Sequence, residues 1–108
     1  MKKSLNLLGI SPLPDSVIDF ISDISNIDEV NRIIIFGSRA CGDYEKYSDI
    51  DLAIDAERMS NESWVKLREL AYYEVRTVLQ ISIVNYFKNP ERLKIRMLED
   101  GRIIYEQQ

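Results

Sequence analysis

The stretch that most constrains the fold runs from an apolar strand through a glycine–serine turn to two aspartates. Residues 32–36 read RIIIF, an apolar run that leads directly into Gly37 and Ser38. Such a run indicates a strand buried on both faces, although a short apolar run does not by itself exclude a helix. Ten residues separate Ser38 from Asp49, and Asp51 follows two positions later. The stretch therefore predicts two strands separated by a polar loop.

The two aspartates are expected on one face of the second predicted strand, residues 49–55. Side chains alternate between the faces of a strand, so Asp49 and Asp51 share a face and the apolar residues take the other. Their Cα atoms would lie about 7 Å apart, close enough for both carboxylates to bind one or two shared cations. Gly37 and Ser38 can offer N–H groups and a hydroxyl to a phosphate, at the start of a short helix. Together these features indicate chemistry on a nucleoside triphosphate.

Each motif has other interpretations. An isolated Asp-x-Asp pair is more often an ordinary solvated strand face, and the preceding glycine–serine pair is what favours a functional site. Residues 37–42 also fit the G-x4-G frame of a Walker A loop, but Asp43 stands where that loop needs lysine. A haloacid-dehalogenase motif is excluded by analogy, because its first aspartate directly follows an apolar strand. Here the polar residues 46–48 precede Asp49.

Two further charged residues lie close to these motifs. Arg39 follows Ser38 and is either a phosphate contact or an exposed turn residue, and the sequence leaves both alternatives open. Asp55 continues the face of Asp49 and Asp51 but lies too far along the strand to share their metal. We expect Asp55 at the surface.

The remaining pattern predicts helices packed on a small sheet. The predicted elements, in order, are a helix that begins after residues 11–15, strands 32–36 and 49–55, a long helix from Ser60, a strand at 80–87, a helix from an Asn89 cap to Gly101, and a short strand at 103–105. The expected inward stripe of the long helix comprises Trp64, Leu67, Ala71, Val75 and Val78. The expected fold class is α/β, or α+β in stricter usage, with a small mixed sheet in one domain of residues 1–108.

Composition excludes several function classes. The chain has no histidine, which rules out Ser–His triads, histidine-ligated zinc and imidazole acid–base catalysis. Its one cysteine, Cys41, forms no internal disulfide, and no stretch reaches membrane-spanning length, so we expect a cytoplasmic protein with no membrane partner. A net charge of −4 argues against strong direct binding of nucleic acid. A nucleotide remains compatible with that charge, because Mg²⁺ supplies positive charge locally.

The pattern G-S-x10-D-x-D after an apolar strand resembles the signature of the minimal nucleotidyltransferase domain of the DNA polymerase β superfamily. The order of predicted elements resembles that family from about Val17 to Glu106. The resemblance implies a polymerase-β-like fold that uses Mg²⁺, with a two-metal site possible, and ATP as substrate. It implies catalytic and metal-binding roles for Asp49 and Asp51, and nucleotide binding by Gly37, Ser38 and Arg39.

Family members of this size resemble antitoxins that pair with a small helical protein of the HEPN class and transfer AMP onto its tyrosine. The resemblance therefore implies such a partner, with attack of an acceptor hydroxyl on the α-phosphate of ATP and release of pyrophosphate. The alternative function is a catalytically degenerate module that binds a nucleotide or a partner, and neutralises the partner by direct binding.

The sequence departs from the family pattern at one metal ligand. Active members carry a third carboxylate on the third predicted strand, where this chain reads ISIVN at residues 81–85. Ser82 stands where that carboxylate is expected, and Asn85 where a second acid often follows. Because the third carboxylate helps hold the catalytic metal, we expect weakened transfer, or binding only.

Overall fold

Two strands rich in isoleucine form the centre of a four-stranded mixed sheet. The computed structural model describes residues 5–7, 10, 12–37, 40, 49–73 and 80–107. The strands are β1 (Arg32–Phe36), β2 (Ile50–Asp55), β3 (Ile81–Asn85) and β4 (Arg102–Glu106), in the spatial order β3-β2-β1-β4. β1 is antiparallel to both β2 and β4, whereas β2 and β3 are parallel. The predicted small mixed sheet is confirmed.

Helices cover both faces of this sheet. They are α1 (Asp15–Ser25), α2 (Asn61–Tyr73), a 3₁₀ helix (Tyr86–Lys88) and α3 (Glu91–Asp100). The larger core joins α1 and α2 to the side of β1 that carries Ile33 and Ile35, and the smaller core joins Ile34 to Tyr86 and Met97. All three isoleucines are fully buried, which confirms the predicted burial of β1 on both faces. No helix within the described ranges is long and apolar enough to cross a membrane.

Local hydrogen bonds set the ends of several elements. The Ser63 N–H donates to Ser60 Oγ (3.1 Å), so Ser60 caps α2 as predicted. The third strand ends at Asn85 rather than at residue 87, because the Asn85 side chain accepts a hydrogen bond from the Phe87 N–H and begins the 3₁₀ helix. The predicted Asn89 cap of α3 is wrong. Pro90 occupies that position, and the Asn89 side chain donates to the Asn85 carbonyl oxygen instead (2.7 Å).

The inward stripe of α2 is confirmed where the structure describes it. Leu67 and Ala71 are buried, and Trp64 is partly buried against the same core. Val75 and Val78 lie outside the described residues.

Asp55 is buried, which corrects its predicted position at the surface. Only 4% of the residue is exposed, and its Oδ2 accepts a hydrogen bond from Arg32 Nε on the neighbouring strand at 2.6 Å. The Arg32 guanidinium in turn lies over the Tyr86 ring, 5.1 Å from its centroid. The 3₁₀ helix therefore covers this end of the sheet, and Arg32 neutralises the carboxylate that becomes enclosed.

This ion pair leads to a prediction about stability. Arg32→Met should lower the free energy of unfolding by about 3–5 kcal/mol, because it leaves the buried Asp55 carboxylate without a counter-charge. The double variant Arg32→Met/Asp55→Leu removes both charges and should lose much less. Urea unfolding of the parent and both variants measures the difference. Equal midpoints for the parent and Arg32→Met would show that Arg32 does not compensate Asp55.

Candidate functional site

The turn after β1 lies directly against one of the two predicted metal-binding aspartates. Phe36 on β1 pairs with Asp51 on β2. Gly37 is the next residue along the chain, and it lies beside the Asp51 side chain. Gly37 has a φ of +75°, and a Cβ added there would lie only 2.5 Å from Asp51 Oδ2. The Ala40 N–H donates to the Gly37 carbonyl oxygen (3.2 Å). Glycine is therefore required at position 37 for both backbone conformation and space.

The site carries negative charge that no described cation offsets. Asp49 is exposed and Asp51 is half-buried. Burial, and then the charge of Asp49, raises the pKa of Asp51. A raised pKa means that ionisation is less favourable in the folded chain than in the unfolded one, so the metal-free protein loses stability as the pH rises past the usual carboxyl range. A divalent cation that binds oxygen ligands would relieve this cost, because it neutralises the carboxylates of Asp49 and Asp51. The two side chains therefore fit Mg²⁺.

Ser82 lies directly beside Asp51. The parallel ladder of β2 and β3 pairs these two residues, so their side chains share a face with Cα atoms about 4.8 Å apart. This is the register that the predicted third-ligand position requires, although the ligand role of Ser82 stays a prediction. Within the described ranges, no group of three or more His, Cys, Asp and Glu residues could hold a metal ion. Ser38 and Arg39, predicted to bind nucleotide, lie outside the described residues.

The sequence interpretation missed two concave surfaces that adjoin these residues. An apolar cavity of about 320 Å³ lies where α3 crosses the end of β1, lined by Phe36, Gly37, Leu93, Arg96, Met97 and Asp100. A larger groove of about 690 Å³ runs between α2 and β3, and its lining includes Ser82. The sequence predicted a helix from Asn89 to Gly101 but not this cavity, because sequence alone does not show which strand end a helix crosses.

Comparison with known sequences identifies the family. The family model described as "Polymerase beta, Nucleotidyltransferase" matches residues 19–108. A Methanocaldococcus jannaschii protein, whose assigned name proposes protein adenylyltransferase activity, is 35% identical over 74 residues. That match covers 65% of this chain and 75% of the relative.

Solved structures share the fold at lower identity. A toxin–antitoxin structure with AMP-PNP aligns with a TM-score of 0.63 at 24% identity, over 87% of this chain and 73% of the other. A tri-AMPylated Shewanella oneidensis HEPN toxin in complex with an MNT antitoxin aligns with a TM-score of 0.56 at 22% identity, over 86% and 69%. These matches confirm the predicted polymerase-β-like fold. With the family model covering β1 to β4 and both aspartates of the site, the chain belongs to the polymerase β nucleotidyltransferase family.

Proposed function

We propose that this protein transfers AMP from ATP to a tyrosine hydroxyl of a small helical HEPN-type partner, and so acts as the antitoxin of a toxin–antitoxin pair. The observation that carries the proposal is the Gly37 turn held against the Asp51 carboxylate, in a chain of the nucleotidyltransferase family. Support for the acceptor comes from the AMPylated HEPN toxin seen with a protein of the same fold. We place the reaction in the cytoplasm, in keeping with a single cysteine.

The residues of the site have distinct proposed roles. Asp49 and Asp51 would hold Mg²⁺, and Gly37, Ser38 and Arg39 would bind the phosphates of ATP. Bound Mg²⁺ supplies positive charge that offsets the phosphate oxygens and makes the acceptor hydroxyl more acidic. Through the ion, the two carboxylates would position the α-phosphate, and the backbone at Gly37 would contact the phosphates beyond it.

The proposed reaction is a single in-line displacement. The acceptor oxygen forms a bond to the α-phosphorus while the bond from that phosphorus to the α–β bridging oxygen breaks. Pyrophosphate leaves with the electron pair of the broken bond, and the hydroxyl proton passes to water. The products are a phosphodiester between AMP and the acceptor, pyrophosphate and one proton.

A second candidate function rests on Ser82. A neutral hydroxyl occupies the register position beside Asp51, and this arrangement favours a module that binds nucleotide and partner without catalysis. The two candidates differ in one measurable outcome. Labelled ATP incubated with this protein and its co-purified helical partner should label the partner if transfer occurs. Binding of Mg²⁺ and ATP without any labelling would favour the non-catalytic module.

The metal-site assignment is tested by a double variant. Asp49→Asn/Asp51→Asn should abolish the magnesium-dependent part of binding to a non-hydrolysable ATP analogue, because both anionic ligands are lost. Isothermal calorimetry with and without Mg²⁺ measures this. The matched control is Asp19→Asn/Asp23→Asn on the exposed side of α1, which changes the net charge equally and should bind as the parent does. Unchanged affinity in the Asp49/Asp51 variant would refute the site.

A further inference from the structure

Resting on the proposed transfer, we infer that the acceptor tyrosine arrives on an extended peptide segment that pairs with the outer edge of β3. The segment would lie in the groove of about 690 Å³ between α2 and β3, here called the edge groove. Its lining includes Val65, Arg68 and Tyr72 from α2, and Gln80, Ser82 and Val84 from the β3 region. Three features of the described residues lead to this assignment.

The first feature is the order of the strands around the site. β2 lies between β1 and β3, so the Gly37 turn is on one side of Asp51 and Ser82 is on the other. In an in-line displacement, the attacking and leaving oxygens lie on opposite sides of the phosphorus. If pyrophosphate leaves toward the Gly37 turn, the acceptor must approach from the side of Ser82. The edge groove opens on that side.

The second feature is the direction of the backbone groups of β3. The Ile50 N–H donates to the Gln80 carbonyl oxygen (2.8 Å), as the Ile50–Ile81 pairing requires. Along a parallel ladder, residues that bond to the neighbouring strand alternate with residues whose groups point away. Gln80 and Ser82 therefore bond inward to β2. Ile81 and Ile83 direct their N–H and C=O groups outward, where no described strand meets them.

An outward row of N–H and C=O groups is a template for an added strand. The α2 wall of the groove suits the side chains of such a strand, because Val65 and Tyr72 are 53% and 76% exposed. Alternate side chains of the added strand would cover these residues. Those between them would project onto the face that carries Ser82.

The third feature is the distance from the added strand to the reacting centre. The residue opposite Ser82 on that strand lies one strand spacing from Ser82 and two from Asp51, or about 9.6 Å between Cα atoms. A serine or threonine hydroxyl, one carbon beyond Cα, falls far short of the Asp51 carboxylate. A tyrosine hydroxyl lies beyond a full aromatic ring and extends farther toward it than a serine or threonine hydroxyl does. The register therefore favours tyrosine among hydroxyl acceptors.

Short synthetic peptides test this assignment directly. The full chain, Mg²⁺ and α-labelled ATP are applied to a peptide array with one central tyrosine per peptide, and to matched arrays with serine or threonine there. We expect label on tyrosine peptides only. Equal label on serine or threonine peptides would overturn the inference. An absence of label on every array would overturn the inference too. The proposed function is tested separately, by labelling of the co-purified partner.

A proline substitution tests the pairing with β3. Ile83→Pro removes one outward N–H and leaves the ladder to β2 intact, as proline is tolerated on an edge strand when its nitrogen faces solvent. The control Ile83→Ala also shortens the side chain but keeps the N–H. For a tyrosine peptide that accepts label on the array, we expect kcat/KM to be about tenfold lower with Ile83→Pro than with Ile83→Ala. Equal values would overturn strand pairing.

Amide hydrogen exchange on the parent protein keeps the test independent of whether Ile83→Pro folds. Addition of a tyrosine peptide that accepts label on the array should slow exchange at the Ile81 and Ile83 amides, because their N–H groups gain hydrogen-bond acceptors. Unchanged exchange at both amides with peptide bound would also overturn the inference. Magnesium-dependent binding of the ATP analogue, measured on every variant, separates loss of the acceptor site from loss of the nucleotide site.

Discussion

Gly37→Ala should reduce AMP transfer on the order of 100-fold, since displacement of a catalytic group by about 1 Å costs that much. The added Cβ would lie 2.5 Å from Asp51 Oδ2, well inside van der Waals contact, so the carboxylate or the turn must move. The φ of +75° adds strain, because alanine rarely adopts the left-handed region. Transfer of labelled AMP to the co-purified partner measures the effect.

A second substitution separates the two causes. Asparagine tolerates positive φ better than alanine but carries the same Cβ. Gly37→Asn should therefore be more stable to urea than Gly37→Ala and yet equally impaired in transfer. If Gly37→Asn retained the parent's rate, the contact with Asp51 would not limit catalysis. If the loss of transfer in both variants matched the fraction of each variant that is unfolded, the substitutions would act through stability alone.

Ser82→Asp should raise AMP transfer by about tenfold or more, because a third carboxylate beside Asp51 adds an anionic ligand for the metal. The opposing effect is repulsion among three carboxylates, which should destabilise the metal-free protein. Mg²⁺ offsets that repulsion, so the ion should raise the melting temperature of the variant more than that of the parent. Labelled transfer and thermal unfolding with and without Mg²⁺ measure both effects.

The control for this experiment is Ser82→Asn, which has nearly the shape of aspartate without its charge. It should show neither faster transfer nor a larger effect of Mg²⁺ on melting. A Ser82→Asp variant that behaves like Ser82→Asn would mean that position 82 does not contribute a metal ligand. A gain in melting temperature without a gain in transfer would mean that the added carboxylate binds the ion away from its productive position.

The parts of the fold that sequence could predict are those fixed by local pattern. The apolar run of β1 indicates burial on both faces directly, because Ile33 and Ile35 pack into one core and Ile34 into the other. Alternation predicts Asp49 and Asp51 on one face; in the structure β2 begins at Ile50, and the charge of Asp49 contributes to the raised pKa of Asp51. The position of Ser82 needed only one further assumption, that β3 lies beside β2, and the observed pairing of Ser82 with Asp51 agrees with it.

The parts that sequence could not predict depend on contacts between distant segments. Asp55 continues the alternation of Asp49 and Asp51, and nothing near it in the chain indicates that Tyr86 and Arg32 enclose it. Similarly, the cavity beside Gly37 exists because α3 crosses the end of β1, which no periodicity in α3 specifies. The edge groove depends on which strand of the sheet is outermost, a property of topology rather than of composition.

The raised pKa of Asp51 has a consequence for directed evolution. A library of this gene screened for heat resistance alone, in buffer without divalent ions, would enrich substitutions that neutralise residue 51, since they remove the repulsion from Asp49 and the cost of burying a charge. The most heat-resistant clones would thus tend to be inactive. Screening in millimolar Mg²⁺ would reverse that bias, because binding of the ion stabilises the clones that keep both carboxylates.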